Sequence, residues 1–98
     1  MENKIKVGII DYQAGKPSAS KVFESEKCKV MEMALSKGDD IKTHSSPVDA
    51  LLVILEGNII FQIEGEDVVL VKFDAYKIPA IVPHSLHAQE DSRMLLIK

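Results

Sequence analysis

The sequence predicts an all-β domain built from short antiparallel strands, and two observations carry that prediction. Gly and Pro recur at short intervals along the 98 residues, and the segments between them are rich in Val, Ile, Leu and Phe. No amphipathic stretch reaches about 11 residues, the length of an average helix. Short strands separated by turns at this spacing are typical of a β-sandwich or a β-barrel.

The clearest unit lies between residues 51 and 71. Gly57 and Gly65 each separate two apolar runs, and glycine supplies the positive φ that tight hairpin turns require. The unit is therefore predicted to be a three-strand meander. The predicted strands of the chain are Leu51–Leu55, Ile59–Ile63 and Val68–Val71, with Lys29–Leu35 before them and Met94–Ile97 after them.

Two of these strands, Leu51–Leu55 and Met94–Ile97, are apolar on both faces. A sheet with one face in water would alternate apolar and polar residues along each strand. Both strands are therefore expected to be covered twice, by the second sheet and by the N-terminal segment or a partner subunit. Large exposed apolar patches mark interfaces, and twofold dimers are the commonest assemblies, so the sequence favours a homodimer.

The composition is that of one soluble globular domain spanning residues 1–98, with 46% apolar and 28% charged residues. The net charge of −3 argues against nucleic-acid partners, because phosphate contacts need clustered Lys and Arg. No apolar run approaches the ~20 residues of a membrane span. The run Val7–Ile10 is too short for a signal-peptide core. A cytoplasmic protein with neither a nucleic-acid nor a membrane partner is expected.

Two spaced motifs occupy residues 38–57 and residues 73–88, after predicted N-terminal strands in residues 1–36. The first partly follows the pattern Gly, five residues, His, one residue, His, three or four residues, Glu, six residues, Gly. The second is Gly, five residues, Pro, one residue, Gly, two residues, His, three residues, Asn. The residues that match these two patterns are Gly38, His44, Gly57, Pro79 and His84.

The two motifs in this order resemble those of the cupin family, and the resemblance is to its small single-domain members. It implies an antiparallel double-stranded β-helix, the jelly-roll barrel, with one open mouth. Five positions depart from the family pattern. Ser46 stands in place of the second His, Ala50 in place of the Glu, and Phe73, Ile81 and Ala88 in place of the two Gly and the Asn of the second motif.

In the family, three His and one Glu project into the barrel and hold a divalent metal. Carried over position by position, the resemblance implies His44 and His84 as metal ligands, with Zn, Fe, Ni or Mn as the candidate ions. Ser46 and Ala50 line the same pocket without supplying good ligands. Two imidazoles are a weak set, because durable sites use three or four ligands.

Three further residues are candidates near this pocket. Asp49 offers a carboxylate, but it is one residue out of phase with Ala50 and needs a bulge to point inward. His87 is out of phase with His84 in the same way and is expected on the outer face. Tyr76 could face the pocket and form an acid–base pair with His84.

Three classes of function stay open at this point. The favoured one is a binding module with a barrel pocket for a small molecule, with or without a weakly held divalent metal. The alternative is an enzyme, either a metal-dependent oxygenase or a metal-free isomerase, since both occur in the cupin superfamily. A purely structural dimeric barrel is the third.

Overall fold

A computed structural model describes residues 2–98, and their regular structure consists of nine β-strands. The described residues contain no helix long and apolar enough to cross a membrane. The strands are β1 (Ser18–Glu24), β2 (Lys29–Leu35), β3 (Asp40–His44), β4 (Ala50–Glu56), β5 (Asn58–Ile63), β6 (Glu66–Val71), β7 (Ala75–Ile78), β8 (His84–Ala88) and β9 (Ser92–Ile97).

The strands form two antiparallel sheets, which confirms the predicted fold class. The five-stranded sheet has the order β1-β2-β9-β4-β7, and the four-stranded sheet has the order β3-β8-β5-β6. Side chains alternate along each strand, so every second residue faces the space between the sheets. The inward residues of both sheets form one core, which includes Leu35, Leu52, Ile54, Ile59, Phe61, Leu86 and Met94.

The predicted strands of the central unit are present, but the predicted meander is wrong for its first strand. β4 pairs with β9 and β7 in the five-stranded sheet, whereas β5 and β6 pair in the other sheet. The chain changes sheets at Gly57, which has φ 99°. A Cβ there would lie 2.5 Å from the Asp91 carbonyl oxygen and 2.6 Å from Ser92 Cα. Gly57 is thus required by this crossover as well as by its backbone angle.

The N-terminal segment covers part of the outer face of the five-stranded sheet. The Gly8 N–H donates to both carboxylate oxygens of Glu32, at 2.9 and 3.0 Å. Glu32 is only 2% exposed and also accepts from Arg93 Nη1 at 2.5 Å. The Arg93 guanidinium in turn lies over the ring of Tyr12, 4.9 Å from its centroid. The N-terminal segment therefore lies against the outer face at β2 and at Arg93 near the start of β9.

The buried ion pair leads to a prediction about stability. Glu32→Gln should lower the free energy of unfolding by about 3 kcal/mol, because it leaves the largely buried Arg93 guanidinium without its main counter-charge. The matched control is Glu56→Gln, whose carboxylate is 56% exposed and lies 3.4 Å from Arg93 Nε. Its loss should stay below about 1 kcal/mol, as for surface pairs. Urea unfolding measures both, and equal losses would contradict a dominant Glu32–Arg93 pair.

Candidate functional site

A β-bulge brings two histidines together at one end of the barrel. β3 pairs with β8 so that Ile41 faces Leu86 and His44 faces His84. Strict alternation would place Ile41 and His44 on opposite faces, but the register shifts between them. The side chains of Ile41 and His44 therefore both turn inward. His44 lies beside His84 there, and the centroids of the two imidazole rings are 4.5 Å apart.

The two rings sit at different depths and are held in the same way. His84 is 5% exposed and stacks on Phe61, whereas His44 is exposed. Each Nδ1 hydrogen-bonds the backbone carbonyl two residues earlier, His44 to Lys42 at 2.9 Å and His84 to Val82 at 3.0 Å. A carbonyl only accepts, so each Nδ1 carries the proton, and in the neutral ring the lone pair is on Nε2. Metal-binding histidines are commonly oriented by this kind of bond.

Ser46 and Asp49 join the loop after β3 to the loop after β7. The Ser46 carbonyl accepts from the Ile81 N–H at 2.7 Å. The Asp49 carboxylate accepts from the Ala80 N–H at 2.8 Å. The Ser46 hydroxyl accepts from the Val48 N–H at 3.3 Å, within its own loop. We call these three hydrogen bonds the loop clasp. The first two hold the loops together, and the three bonds engage both oxygens of Ser46 and one carboxylate oxygen of Asp49.

The other candidate residues are distributed around this centre. Ala50 is 5% exposed and is part of the hydrophobic core beside Ile78, its partner on β7. Tyr76 packs on Phe61 with a centroid distance of 4.7 Å, so Phe61 contacts both Tyr76 and His84. His87 lies on the outer face, as alternation predicts. There its Nδ1 is 2.6 Å from Asp40 Oδ1.

The donor set does not fit the four-ligand metal centre that the family pattern implies. Within residues 2–98, no group of three or more His, Cys, Asp or Glu side chains could hold a metal ion. What is present fits a partial site of two imidazoles, with Nε2 as the donor atom of each. Imidazole suits zinc, nickel and iron, but two ligands give a weak site.

An acidic turn and His84 line the same depression. The tip of the β5–β6 hairpin, residues 64–67, lines a shallow depression of about 330 Å³ that His84 reaches. Glu64, Glu66 and Asp67 all contribute to this depression, as does Thr43, which precedes His44. The negative charge of the tip raises the local concentration of cations near His84.

Comparison with known proteins identifies the family. The sequence model of the cupin domain matches residues 31–98. The chain therefore belongs to the cupin domain family, and the resemblance seen in its two motifs is confirmed. No curated protein is significantly similar to the chain in sequence.

Solved structures with the same architecture come from several bacteria. A conserved protein of unknown function from Streptococcus pyogenes is 26% identical, with a TM-score of 0.81 over 98% of this chain and 90% of that chain. A cupin 2 conserved barrel domain protein from Leptotrichia buccalis is 28% identical, with a TM-score of 0.84 over 91% of this chain and 43% of the other. An RmlC-like cupin from Desulfovibrio desulfuricans, 21% identical with a TM-score of 0.85 over 99% and 94% of the two chains, shares the fold.

The loop clasp can be tested at Asp49. Asp49→Ala should lower the free energy of unfolding by about 1 kcal/mol, because it removes a hydrogen bond to a charged acceptor at an exposed site. It should also speed hydrogen exchange of the Ala80 amide. Asp67→Ala is the control, since the Asp67 carboxylate accepts from the exposed Gln62 side chain at 3.1 Å and ties no loop to another. If Asp49→Ala leaves the exchange of Ala80 unchanged, the clasp does not order this loop.

Proposed function

We propose that the chain is a binding module whose ligand site is the histidine pair at the mouth of the barrel. The observation that carries the proposal is the matched pair of Nδ1–carbonyl hydrogen bonds, which leaves Nε2 of His44 and His84 as the binding atom of each ring. A pair of histidines kept only for packing would not need the same orientation in both rings. The proposed ligands are a small molecule and, weakly, a divalent metal.

The surroundings of the pair favour binding over catalysis. An oxygenase needs a firmly held metal with open coordination positions, and Ser46 and Ala50 do not supply the missing ligands. A metal-free isomerase needs an acid and a base that reach one substrate. Tyr76 and His84 are the candidates, and the Phe61 ring packs against both. A binding site requires only the two imidazoles and access from solvent.

Metal binding should be weak and should depend on His44. At a free zinc or nickel concentration ten times the dissociation constant, binding to the folded state should add about 1.4 kcal/mol of stability. That corresponds to a rise of several degrees in the melting temperature. His44→Ala should abolish the rise, and His87→Ala should retain it because His87 lies on the outer face beside Asp40. If His44→Ala responds as the wild type does, the metal binds elsewhere.

Restoring the family's ligands gives a second and independent prediction. The double change Ser46→His with Ala50→Glu should create three imidazoles and one carboxylate, and its metal-induced rise in melting temperature should exceed that of the wild type at the same metal concentration. The double change enlarges two buried residues, which costs roughly 1–3 kcal/mol without metal. Each protein is therefore compared with itself, with and without metal. A folded double variant that gains no more than the wild type would show that the four positions do not converge.

We also propose that the protein is a homodimer formed through the outer face of the five-stranded sheet. Four paired residues cross this face in one row, and the first and last are 46% and 40% exposed: Phe23, Val30, Ile97 and Leu51. The N-terminal segment on the same face adds the exposed Ile5, Val7 and Ile9. A second copy buries the same row against itself, as a twofold interface requires. A stable interface needs about 800 Å² per partner, and the segment extends the row toward that area.

Sedimentation at micromolar concentration should therefore give about twice the monomer mass. Leu51→Lys should produce monomers, because it places a charge within the apolar row of the proposed interface. Val69→Lys is the matched control, since Val69 is 57% exposed but belongs to the outer face of the other sheet. A monomeric wild type, or a dimer that survives Leu51→Lys and dissociates with Val69→Lys, would refute this interface.

A further inference from the structure

The separation of the imidazole rings of His44 and His84 limits how they can share one metal ion. Their centroids lie 4.5 Å apart, and the ring planes are inclined by 58°. A metal lies about 2.0–2.1 Å from a ligating imidazole nitrogen and in line with the ring, which places it about 3.2 Å from the ring centroid. Two centroids at that distance from one ion and 4.5 Å from each other subtend an angle of about 90° at the ion. The pair therefore matches two adjacent corners of a square or an octahedron.

Other coordination geometries need a larger separation of the rings. In a tetrahedral site, which is the usual geometry of zinc, the angle between two ligands is about 109° and the centroids are about 5.2 Å apart. Two imidazoles on opposite sides of one ion have centroids about 6.4 Å apart. The observed separation of 4.5 Å is smaller than either. The two rings are therefore too close for a tetrahedral or a linear site.

The surroundings of the two rings hold them at this separation. His44 and His84 are direct partners in the pairing of β3 with β8. Their Nδ1 atoms are tied to the carbonyls of Lys42 and Val82, at 2.9 and 3.0 Å. His84 is 5% exposed and stacks on Phe61, with a centroid distance of 5.5 Å and an interplanar angle of 28°. Moving the rings apart to a tetrahedral separation works against these contacts, so the fold sets the angle at the metal.

We infer that the histidine pair occupies two adjacent positions of a tetragonal or octahedral ion, and that the site prefers copper(II) or nickel(II) to zinc(II). Tetragonal and square-planar sites of nitrogen and oxygen ligands are characteristic of these two ions. The inference rests on the site proposed above and names the class of metal that it binds. Within residues 2–98 no group of three or more His, Cys, Asp or Glu side chains could complete the coordination. The other positions therefore fall to water or to a small molecule that donates oxygen or nitrogen.

Cobalt(II) tests the angle directly, because a tetrahedral cobalt(II) ion absorbs visible light strongly and a six-coordinate one absorbs weakly. The full chain is titrated with cobalt(II), binding is followed by the rise in melting temperature, and the geometry is read from the absorption. We expect weak absorption at saturation. Binding should be lost in His44→Ala and kept in His87→Ala, whose ring lies on the outer face beside Asp40.

A comparison of nickel(II) with zinc(II) tests the preference. Free imidazole is the matched control, since its rings can take any angle around an ion. The ratio of the zinc to the nickel dissociation constant, measured by calorimetry, should be several-fold larger for the protein than for two molecules of imidazole in the same buffer. Copper(II) is the tightest divalent ion in almost any such site, so it is judged by geometry instead. Its electron paramagnetic resonance spectrum should be that of a tetragonal ion with two nitrogen ligands, and His44→Ala should lose this spectrum.

The outcomes separate this inference from the proposed site. If cobalt(II) binds through His44 with the strong absorption of a tetrahedral ion, the inference fails and the proposed site stands. The same conclusion follows if the zinc-to-nickel ratio equals that of free imidazole. If metal binding is unchanged in His44→Ala, the metal lies elsewhere, and both the inference and the proposed metal site fail. Both also fail if none of the four metals binds.

Discussion

The loop clasp is the constraint on which the candidate site depends. His44 is the last residue of β3 and His84 is the first residue of β8, so each histidine lies at the junction between a strand and a loop. The backbone hydrogen bonds between strands hold each histidine only on the side where its strand lies. The hydrogen bonds from Ile81 to Ser46 and from Ala80 to Asp49 fix the other side by tying the two loops to each other. Because Val82 belongs to one of these loops, its carbonyl orients His84 only while that loop is held.

The clasp also explains why two of the candidate ligands serve another purpose. Asp49 is one residue out of phase with the inward Ala50, so its carboxylate points to the loop and meets an amide. Ser46 stands where the family pattern has an inward His, but its hydroxyl closes a turn with Val48. In both residues an oxygen that could have been a metal ligand is engaged by a backbone N–H. Geometry, rather than side-chain type alone, removes them from the donor set.

Sequence reasoning reached the fold class because its signal is local. Gly and Pro end strands wherever they occur, and apolar runs between them define strands such as β5 and β6. Strands were predicted within residues 1–36, but the bounds of β1 were not, because its residues Ser18–Glu24 are largely polar and lie at the edge of a sheet. A register shift between Lys21 and Phe23 also interrupts its alternation. The partner of β4 was missed because a change of sheet at Gly57 resembles a hairpin turn in sequence.

The candidate site also has features that are local in the sequence and features that depend on how the strands pair. Motif spacing identified His44 and His84, and the structure brings these two residues together. The spacing could not show the bulge between Ile41 and His44, since a bulge is a property of the strand pairing and has no local signature in Asp40–His44. Nor could it show that the Nδ1 atoms are bound to carbonyls, which depends on the backbone two residues earlier. Residue identity was readable from the sequence, whereas orientation needed the tertiary structure.

The outer face of the five-stranded sheet has a polar part and an apolar part, and each part can be covered by a different kind of surface. Where the N-terminal segment crosses, the face holds the buried Glu32–Arg93 pair, and the Gly8 amide satisfies the carboxylate. A single extended segment has few side chains to bury, but its backbone amides can meet a charge. One row further along, the face is apolar from Phe23 to Leu51. An apolar row offers no hydrogen bonds to a backbone segment, so only another apolar surface stabilises it. The polar part of this face therefore suits the chain's own segment, and the apolar part is the surface of the proposed dimer.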